Sequence, residues 1–501
     1  MILVKLNKEE FGYDIHSLVK AFYPGQTVIV TADEEKIAQK EAMIAKGQGE
    51  TGEEISFCLV IRYLNEKSAG ENTGYGTVLE IEGQCFEFCN DDRRQAKNAL
   101  KKALYTILVK KTGKTLPWGN LTGIRPAKIP MALLERGELE ASIRQYMADT
   151  YFVSEQKTAL CLEIAQKERG ILQTMDYENG YSLYIGIPFC PTTCLYCSFP
   201  SYAAALWQEK MPEYLDCLEK ELDFIAGSVK DKKLQTVYIG GGTPTTLPPE
   251  LLGRLLNKID TAFDFSDVRE FTVEAGRPDS ITPEKLAVMK KYPVSRISIN
   301  PQTMKQQTLD LIGRRHTVEQ VRTSFRMARE AGFDNINMDL IVGLPEETYE
   351  DVEQTMQEIA KLSPDSVTVH SLAVKRSARL STEKENYRGL HMVNTQEIIG
   401  LTEEKCRRMG MAPYYLYRQK NMAGNFENVG YARAGKEGYY NILVMEDRQT
   451  VLAAGAGAMT KFVNGNERTR VENVKDIASY LDRIDEMIER KAKKMEELSW
   501  H

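Results

Sequence analysis

Six short apolar runs, each followed by a helical segment, occupy residues 182–374 and constrain the fold more than any other feature. The runs are rich in β-branched residues and end in polar or Gly/Pro motifs, a pattern typical of buried parallel strands. Strand and helix units in succession predict a parallel sheet with right-handed crossovers, either an open barrel or a doubly wound sheet. The runs are SLYIGIPF (182–189), QTVYIGGG (235–242), EFTVEAGRP (270–278), SRISINPQ (295–302), NINMDLIVGLP (335–345) and DSVTVHSLAV (365–374).

Polar residues and glycines gather where these runs end. In a barrel and in a doubly wound sheet alike, ligands bind at the C-terminal ends of the parallel strands. The sequence therefore predicts an active site on that rim. The residues concerned are Cys190, the glycines at 240–242, Glu274, Gln302, Asp339 and His370.

Composition and charge limit the class of protein. Lys and Arg number 65 against 71 Asp and Glu, a net charge of −6, which argues against a protein that coats duplex nucleic acid. The start MILVKLNKEEF has no basic or apolar leader, and no stretch reaches the about 18 apolar residues that span a bilayer. We expect a cytoplasmic protein with no membrane span. In a reducing cytosol, its nine cysteines indicate metal binding or catalysis rather than a disulfide framework.

Three of these cysteines, Cys190, Cys194 and Cys197, form a C-x3-C-x2-C motif at the end of the first run. Three thiolates on one loop can bind three irons of a [4Fe–4S] cluster and leave the fourth iron open to a chelating ligand. Structural zinc, the alternative, needs a fourth Cys or His at a suitable spacing. The next candidates downstream, Cys217 and His316, are distant in sequence. We therefore expect a cluster.

Changes in the pattern of apolar, polar and helical segments along the sequence predict three domains. They are an N-terminal α+β accessory domain (1–175), a parallel α/β core (176–375) and a C-terminal region that caps the substrate (376–501).

In the first domain, apolar alternation at 27–31, 55–63 and 78–88 predicts short antiparallel strands, with a turn at Glu82-Gly83. A helix is expected over 93–113. It carries a basic face that either binds an anion or is simply solvated.

In the third domain, PYYLYRQKN (413–421), YYNILVM (439–445) and TVLAAGAGAMTKF (450–462) are interpreted as strands or loops. A charged helix is expected over 472–498.

An ordered series of motifs carries a family resemblance: YIGIPFC, GGGTPT, TVEAGRPD, SRISINPQT, LIGRRH and NMDLIVGLP. With the three cysteines, the series resembles the radical S-adenosylmethionine (SAM) superfamily. Over about 184–375 it resembles the oxygen-independent coproporphyrinogen III oxidase, or dehydrogenase, family, and the N-terminal extension with WGNLTGIRP is most similar to its HemZ-type branch. The resemblance implies a radical SAM partial (β/α)6 TIM-like barrel with an α+β N-terminal domain and a C-terminal extension.

Carried over by position, the resemblance implies a [4Fe–4S] cluster on the three cysteines, with SAM beside it. Tyr184 and Tyr196 would line the SAM pocket, Gly241, Gly242 and Thr243 would face the methionine amino group, Glu274 and Gln302 would hold the ribose, Arg314 would pair with the methionine carboxylate, and Asp339 and Ala373 would complete the pocket, Ala373 near the adenine. These residue types suit those groups, since Arg pairs with carboxylates and carboxylate or amide oxygens accept from hydroxyls. No catalytic residue is assigned. Arg314 is expected to be exposed on its loop.

The chain departs from the family pattern at identifiable positions. Decarboxylating members carry a fourth cysteine where this chain has Phe199, and a histidine where it has Gly186. Haem chaperones, a sister group, also lack the fourth cysteine. They carry a His-Asn segment ending in Tyr-Trp near YYNILVM, where this chain has Tyr440-Asn441 and lacks both the histidine and the tryptophan.

The resemblance implies an anaerobic oxidoreductase of haem biosynthesis. A radical derived from SAM would convert two propionates of coproporphyrinogen III to vinyl groups with loss of carbon dioxide. An electron donor such as flavodoxin or ferredoxin would be a partner, and nucleic acid is not expected to be one. The alternatives are a haem-binding or haem-delivery protein and a radical SAM methyltransferase acting on a tetrapyrrole or on RNA.

We expect the tetrapyrrole to lie over the open mouth of the barrel, since the strand ends are occupied by the cluster and SAM. The donors and aromatic surface expected there are His370, Lys375, Arg376, Arg418, Tyr414, Tyr415 and Tyr417.

Overall fold

A computed structural model of the chain describes residues 1–24, 26–45, 57–63, 75–81, 83–90, 92–123, 125–229, 231–387, 389–419, 422–498 and 500. The chain divides into two compact units, Met1–Leu162 with Arg418–Phe426, and Glu163–Tyr417 with Glu427–His501. The three domains expected from the sequence stay a prediction. In the described ranges, no helix is both long and apolar enough to cross a membrane.

The first unit contains a mixed sheet and the helices around it. Its strands are β1 (Ile2–Leu6), β2 (Val28–Thr31), β3 (Phe57–Tyr63), β4 (Tyr75–Ile81) and β5 (Gln84–Asn90), and its helices are α1 (Gly12–Phe22), α2 (Glu34–Ala45), α3 (Arg93–Thr112), α4 (Lys128–Glu135) and α5 (Glu140–Tyr151), with α6 (Glu155–Leu172) continuing into the second unit. The sheet order is β2-β1-β3-β4-β5. Ile2, Val4 and Leu6 of β1 pack with Leu100 and Leu104 of α3 in its core.

The expectation of antiparallel strands is right for β4 and β5 and wrong for β2. It is right for β3 on one side only, because β3 pairs antiparallel with β4 but parallel with β1. Strand β2 pairs in parallel with β1, because helix α1 connects the two and returns the chain to the same end of the sheet. Strand β1 has no counterpart among the strands expected from the sequence. The predicted turn joins β4 to β5, which are antiparallel with Ile81 opposite Gln84, although Glu82 lies outside the described residues.

A short strip from late in the sequence, Arg418–Phe426, belongs to this first unit. The Arg418 guanidinium lies 5.2 Å from the ring centroid of Trp118, which is fully buried. Its Nη1 donates a hydrogen bond to the carbonyl oxygen of Leu121 at 2.7 Å. Residues 118–121, at the start of WGNLTGIRP, therefore contact this strip.

The second unit contains the six strands predicted from the apolar runs. Its strands are β6 (Gly180–Ile187), β7 (Phe189–Cys190), β8 (Tyr202–Ala203), β9 (Lys233–Gly241), β10 (Glu270–Glu274), β11 (Arg296–Ser298), β12 (Ile336–Val342), β13 (Ser366–Ser371), β14 (Ala412–Tyr417), β15 (Asn428–Ala432), β16 (Thr450–Ala454), β17 (Met459–Asn464) and β18 (Glu467–Glu472). Strands β6, β9, β10, β11, β12 and β13 are neighbours in chain order and run parallel. Because that order never reverses, the doubly wound alternative is wrong.

Helices connect these strands and extend beyond them. They are α7 (Ala204–Trp207), α8 (Met211–Ser228), α9 (Pro249–Ala262), α10 (Pro283–Met289), α11 (Gln306–Leu311), α12 (Val318–Glu330), α13 (Tyr349–Leu362), α14 (Arg379–Thr382), α15 (Gln396–Arg408), α16 (Tyr439–Glu446), α17 (Ile477–Asp482) and α18 (Ile484–Glu497). Threonine side chains start the two helices that flank β12. The Thr317 and Thr348 side chains each accept a hydrogen bond from a backbone N–H in the first turn. The side chain of the third residue of each helix in turn accepts a hydrogen bond from the backbone N–H of the threonine.

The sheet curls around helix α16. A flat sheet would separate β14 from β6, seven positions along the strand order, by roughly 30 Å. Yet Tyr440 of α16 stacks on Tyr184 of β6 at 6.4 Å, and a Cβ on the adjoining Gly438 would lie 3.1 Å from the hydroxyl oxygen of Tyr414 in β14. Such contacts require a partial barrel, as expected from the sequence. In the part of the chain that the structure describes, β14 and β18 are the edges and do not pair.

Two expectations for the last part of the chain differ from the structure. YYNILVM forms helix α16 rather than a strand or loop, because a continuous apolar run has no periodicity to separate the two. The predicted C-terminal helix is present, but it breaks at Arg483 into α17 and α18. The strands expected around 413–421 and 450–462 are confirmed as β14, β16 and β17.

A buried ion pair fixes the last helix to the barrel. Lys491 of α18 and Glu221 of α8 have fully buried side chains, and the Nζ to Oε1 distance is 2.5 Å. The Glu221 carboxylate also accepts hydrogen bonds from the side chain of Asn473, the backbone of Gly455 and the hydroxyl of Tyr480. Four donors around one buried carboxylate satisfy its charge.

We predict that Lys491→Met lowers the free energy of unfolding by about 3–5 kcal/mol, because it leaves the buried Glu221 carboxylate without its cation. Urea denaturation of the two proteins measures the difference. Lys493→Met, at an exposed position of the same helix, should change the free energy by less than about 0.5 kcal/mol.

The double variant Glu221→Gln with Lys491→Met should recover part of the loss, since no unpaired charge remains buried. Equal stability of Lys491→Met and the wild type would contradict the prediction.

Candidate active site

The cysteine loop begins where β6 and β9 end side by side. Their parallel pairing continues to the register pair Ile187 and Gly241. Beyond it, the Gly242 N–H donates to the Ile187 carbonyl and the Thr243 N–H donates to the Phe189 carbonyl, both at 2.7 Å. A Cβ on Gly242 would lie 2.5 Å from the Phe189 oxygen and 3.0 Å from Cys190 Sγ. Only glycine therefore allows the backbone this close to the first cysteine.

The rest of the loop is held by backbone contacts from two other segments. The Leu195 N–H donates to the Ile312 carbonyl, and the Leu195 carbonyl accepts from the Leu380 N–H. Thr192 Oγ1 donates to the Gly313 carbonyl at 2.9 Å. These contacts clamp the loop that carries Cys190, Cys194 and Cys197 onto the C-terminal rim of the barrel.

The three thiols share a buried environment. Cys194 is buried and Cys190 and Cys197 are half-buried, and none is in a disulfide. Burial raises the pKa of Cys190 to about 11, and the charges of Cys197 and Cys194 act in the same direction. Burial likewise raises the pKa of Cys197. Within the described ranges, no group of three or more His, Cys, Asp or Glu side chains is arranged to hold one metal ion. A [4Fe–4S] cluster does not require such a group, because each thiolate binds a different iron.

A tyrosine pair and a carboxyl group line the next part of the rim. Tyr184 and Tyr238 are register partners on β6 and β9, and their rings stack at 6.2 Å. The Tyr238 hydroxyl donates to Glu274 Oε1 at the end of β10, at 2.5 Å. Burial raises the pKa of Glu274 to about 7, with the hydrogen bond from Tyr238 acting against this rise and the nearby charge of Asp339 adding to it. Burial therefore favours the protonated form of the Glu274 carboxyl group.

Gln302, Asp339 and His370 form a second cluster on the rim. Gln302 adopts φ of 69°, its N–H donates to the Asp339 carbonyl, and its buried Oε1 has no hydrogen-bond partner among the described residues. The Asp339 carboxylate accepts from Asn337 Nδ2 at 2.7 Å and lies 3.8 Å from His370 Nε2. Burial would raise the pKa of Asp339, but His370 and Asn337 lower it below its ordinary value.

Arg314 is buried rather than exposed as the sequence suggested. Its Nη2 donates to the carbonyls of Asn300 and Gly276, and its Nη1 donates to the Tyr196 hydroxyl at 3.1 Å. Only Nε lacks a hydrogen-bond partner among the described residues. Arg314 can therefore still offer its Nε–H to a ligand, and it also holds Tyr196 and two backbone segments in place.

The residues expected to contact a substrate divide into two groups. Lys375 and Arg376 are exposed just past β13, and half-buried Ala373 lies between that strand and Lys375. His370 is half-buried, and its Nδ1 lies 3.3 Å from the Tyr417 hydroxyl.

Tyr414, Tyr415 and Arg418 do not form part of an open surface. Tyr414 and Tyr415 are 0% and 4% exposed. The Tyr415 ring fills the space over Gly430, where a Cβ would lie 1.9 Å from it. Arg418 is engaged in the first unit. The expectation that these side chains present donors and aromatic surface at the mouth is therefore wrong, because Tyr414 and Tyr415 are consecutive residues of β14 that are both buried, and the buried Arg418 lies beyond the end of that strand.

Sequence reasoning missed Tyr238 and Asn300. Tyr238 and Gly240 share one face of β9, so strand alternation from the glycine motif could have identified Tyr238. The Asn300 side chain accepts from the Ser298 hydroxyl and from the Asp339 N–H, and its carbonyl accepts from Arg314. No sequence signal distinguishes such a junction.

Comparisons with known proteins agree with this geometry. Residues 184–359 match the model of the radical SAM superfamily. The oxygen-independent coproporphyrinogen-III oxidase-like protein HemZ of Bacillus subtilis (strain 168) is 39% identical over 414 residues, which are 81% of this chain and 82% of HemZ. The heme chaperone HemW of the same strain is 34% identical over 61% of this chain and 76% of HemW.

A solved structure has a similar fold. Coproporphyrinogen III oxidase (HemN) from Escherichia coli, described as a radical SAM enzyme, matches with a TM-score of 0.51 and 23% identity over 64% of this chain and 73% of HemN. At that identity the likeness concerns the fold.

We predict that the protein without ligands loses stability as pH rises through about 7. The pKa of Glu274 is 4.5 in an ordinary setting and about 7 here, so the folded state holds a proton that the unfolded state has lost. The stabilisation is complete below about pH 4.5 and disappears above pH 7. Glu274→Gln should reduce the change in the free energy of unfolding between pH 5 and 8 by on the order of 2 kcal/mol. Urea denaturation at several pH values measures this change.

Glu347 provides a matched comparison. Burial raises the pKa of Glu347 to about 7 as well, beside Thr303 and away from the Glu274 cluster. Glu347→Gln should remove a similar share of the pH dependence. An unchanged slope in Glu274→Gln would show that its carboxyl group titrates normally.

Proposed function

The chain belongs to the radical SAM superfamily and, within it, to the family of the oxygen-independent coproporphyrinogen-III oxidase-like protein HemZ, and we propose that it is a radical SAM oxidoreductase that decarboxylates propionates of coproporphyrinogen III. The observation that carries the proposal is that a three-thiol loop, a glycine-lined backbone and buried polar groups without hydrogen-bond partners in the described part of the chain meet on one rim. This rim is where parallel barrels bind their ligands.

The residues present fit a [4Fe–4S] cluster and SAM. Three thiols stand on one loop, and Gly242 keeps the backbone beside Cys190 free of a side chain. Gln302 Oε1 and Arg314 Nε are buried and lack hydrogen-bond partners among the described residues. Unpaired buried polar atoms are costly, so a polar ligand that pairs with them is favoured.

In this proposal Cys190, Cys194 and Cys197 hold the cluster, and the rim residues hold SAM. Together the two groups supply a carbon-centred radical that can remove a hydrogen atom from an unactivated carbon. Gln302 and Glu274 provide acceptors for ribose hydroxyls, and Arg314 Nε provides one N–H to a carboxylate. The Tyr184 and Tyr238 rings close the interior beneath and keep water out.

A tetrapyrrole with propionates fits the exposed side of the rim. Lys375 and Arg376 are exposed cations beside the cysteine loop, since Ser377 Oγ donates to the Ser198 carbonyl. Cations there would fix the propionates that do not react and orient the one that does. His370 lies beside Asp339 and contacts the Tyr417 hydroxyl, so that His370 and Tyr417 would complete this side of the mouth.

Haem delivery is the second candidate function. It is favoured by Phe199, which takes the place of the fourth cysteine and is 64% exposed. It is opposed by Tyr440, at the segment where haem chaperones carry their His-Asn motif. The Tyr440 ring stacks on Tyr238 at 4.5 Å inside the barrel and is not presented to a haem on the surface.

One experiment separates these functions. The anaerobically reconstituted protein is incubated with SAM, dithionite and coproporphyrinogen III, and the products are identified by mass. Loss of two carbon dioxide molecules with SAM consumption supports the proposal. Stoichiometric haem binding without SAM consumption would establish the delivery function instead, and a gain of methyl mass would establish a methyltransferase.

We predict that anaerobically purified protein is brown, with about four irons per chain, and that Cys194→Ala loses this iron and the associated absorbance. The reason is that three thiolates are needed to hold a cube with one open iron. Cys217→Ala is the control, since Cys217 is a half-buried thiol on helix α8, and it should keep the full iron content. Colourless wild-type protein with stoichiometric zinc would contradict the prediction.

We predict that Lys375→Ala with Arg376→Ala lowers porphyrinogen turnover roughly tenfold or more, because charge-assisted bonds to carboxylates are lost. SAM cleavage in the absence of porphyrinogen should not change. Arg468→Ala with Arg470→Ala removes the same charge from exposed positions of β18 and should leave both rates unaltered. Equal turnover in the two double variants would place the substrate elsewhere.

A further inference from the structure

A buried arginine, Arg277, contacts Cys194, the middle cysteine of the loop. It follows β10 and is 3% exposed. Its Nε and Nη2 donate to the two carboxylate oxygens of Asp279, at 2.9 and 2.7 Å. Its Nη1 donates to Thr192 Oγ1 at 3.0 Å and to Cys194 Sγ at 3.9 Å. One guanidinium thus joins a carboxylate to the cysteine loop.

The position of this arginine is fixed on every side. The Ser280 N–H donates to the Arg277 carbonyl, which starts a turn of 3-10 helix over Pro278–Ser280. Ser324 Oγ donates to the Pro278 carbonyl from helix α12. The two-pronged pair with Asp279 orients the guanidinium plane and leaves Nη1 directed at the loop.

Other charges around the guanidinium are few. Arg314, also buried, has its guanidinium donors directed at Tyr196 and backbone carbonyls rather than at Asp279. His316 is fully buried, and burial together with the charges of Arg314 and Arg277 lowers its pKa to about 3, so the imidazole is neutral. Among the residues that the structure describes, Arg277 is therefore the cation that donates to a sulfur of the motif, and Asp279 is the anion that offsets it.

We propose that Arg277 is a positioning residue that raises the reduction potential of the cluster by donating a charge-assisted hydrogen bond to Cys194. This inference rests on the proposed function, because it requires the cluster on the three cysteines. Hydrogen bonds to cluster sulfurs and the net charge around them set such potentials. Reduction adds one negative charge to the cluster and its thiolates, and a buried cation at Cys194 stabilises that added charge.

The sign of the effect separates this role from a structural one. Removing Arg277 removes a positive charge and should lower the potential. Removing the charge of Asp279 leaves Arg277 less neutralised and should raise it. If the Arg277–Asp279 pair only held the loop in shape, replacing either residue would shift the reduction potential in the same direction.

The test compares Arg277→Gln, Arg277→Lys and Asp279→Asn in the reconstituted full chain. The midpoint potential is measured by an anaerobic redox titration followed by absorbance and electron paramagnetic resonance, with iron content as the check on loading. Arg254→Gln is the matched control, because Arg254 makes a similar two-pronged pair with Glu219 between the outer helices α8 and α9.

At a fixed potential, Arg277→Gln should lower the ratio of reduced to oxidised cluster about tenfold, a shift of 59 mV for one electron. Asp279→Asn should raise the ratio, while Arg277→Lys and Arg254→Gln should stay near the wild type. Equal potentials in all the variants, or shifts of one sign in Arg277→Gln and Asp279→Asn, would overturn the inference.

If Arg277→Gln fails to keep its iron, Asp279→Asn decides alone. A higher potential supports the inference, and an unchanged or lower one overturns it. Wild-type protein that binds no cluster would instead overturn the proposed function, so the two failures are distinguishable.

Discussion

The whole site depends on the way β6 and β9 stay paired after both strands have ended. Two backbone hydrogen bonds, from Gly242 to Ile187 and from Thr243 to Phe189, carry the pairing into the loop that holds Cys190. Any side chain at position 242 would strike the carbonyl of Phe189. Because the first cysteine is anchored in this way, the segments that follow can be clamped by 312–313 and 380. The position of the first cysteine on the rim therefore depends on a steric constraint that glycine at position 242 satisfies.

The interior of the barrel is filled from the N-terminal ends of the strands, which sets how deep a ligand can lie. Helix α16 enters from the N-terminal ends of the strands, where the Tyr439 N–H donates to Glu270 and Arg296 donates to the carbonyl of Lys436. Tyr440 then stacks on Tyr238, whose hydroxyl contacts Glu274 at the rim. Side chains thus occupy the axis up to Glu274. A ligand must lie across the C-terminal rim, close to the cysteine loop.

Local patterns in the sequence predicted the six parallel strands and the residues at their ends, because β-branched runs and strand ends are local features. The same patterns could not show which strands of the first unit pair in parallel, since pairing depends on connections and long-range packing. The continuous apolar run YYNILVM has no periodicity that distinguishes a helix from a strand. Tyr415 and Arg314 were misjudged because burial is decided by distant residues: Gly430 in the first case, Gly276 and Asn300 in the second.

The strip Arg418–Phe426 has a consequence for how the chain acquires its structure during synthesis. The ribosome completes Met1–Leu162 first, and domains generally fold as they emerge. The indole of Trp118 and the carbonyl of Leu121, however, receive Arg418 only after residues 163–417 have been made. The surface formed by Trp118 and Leu121 therefore stays uncovered until most of the barrel has been translated. Its last folding step is coupled to the growth of the other unit, and a gene fragment that ends at residue 162 encodes an unfinished domain.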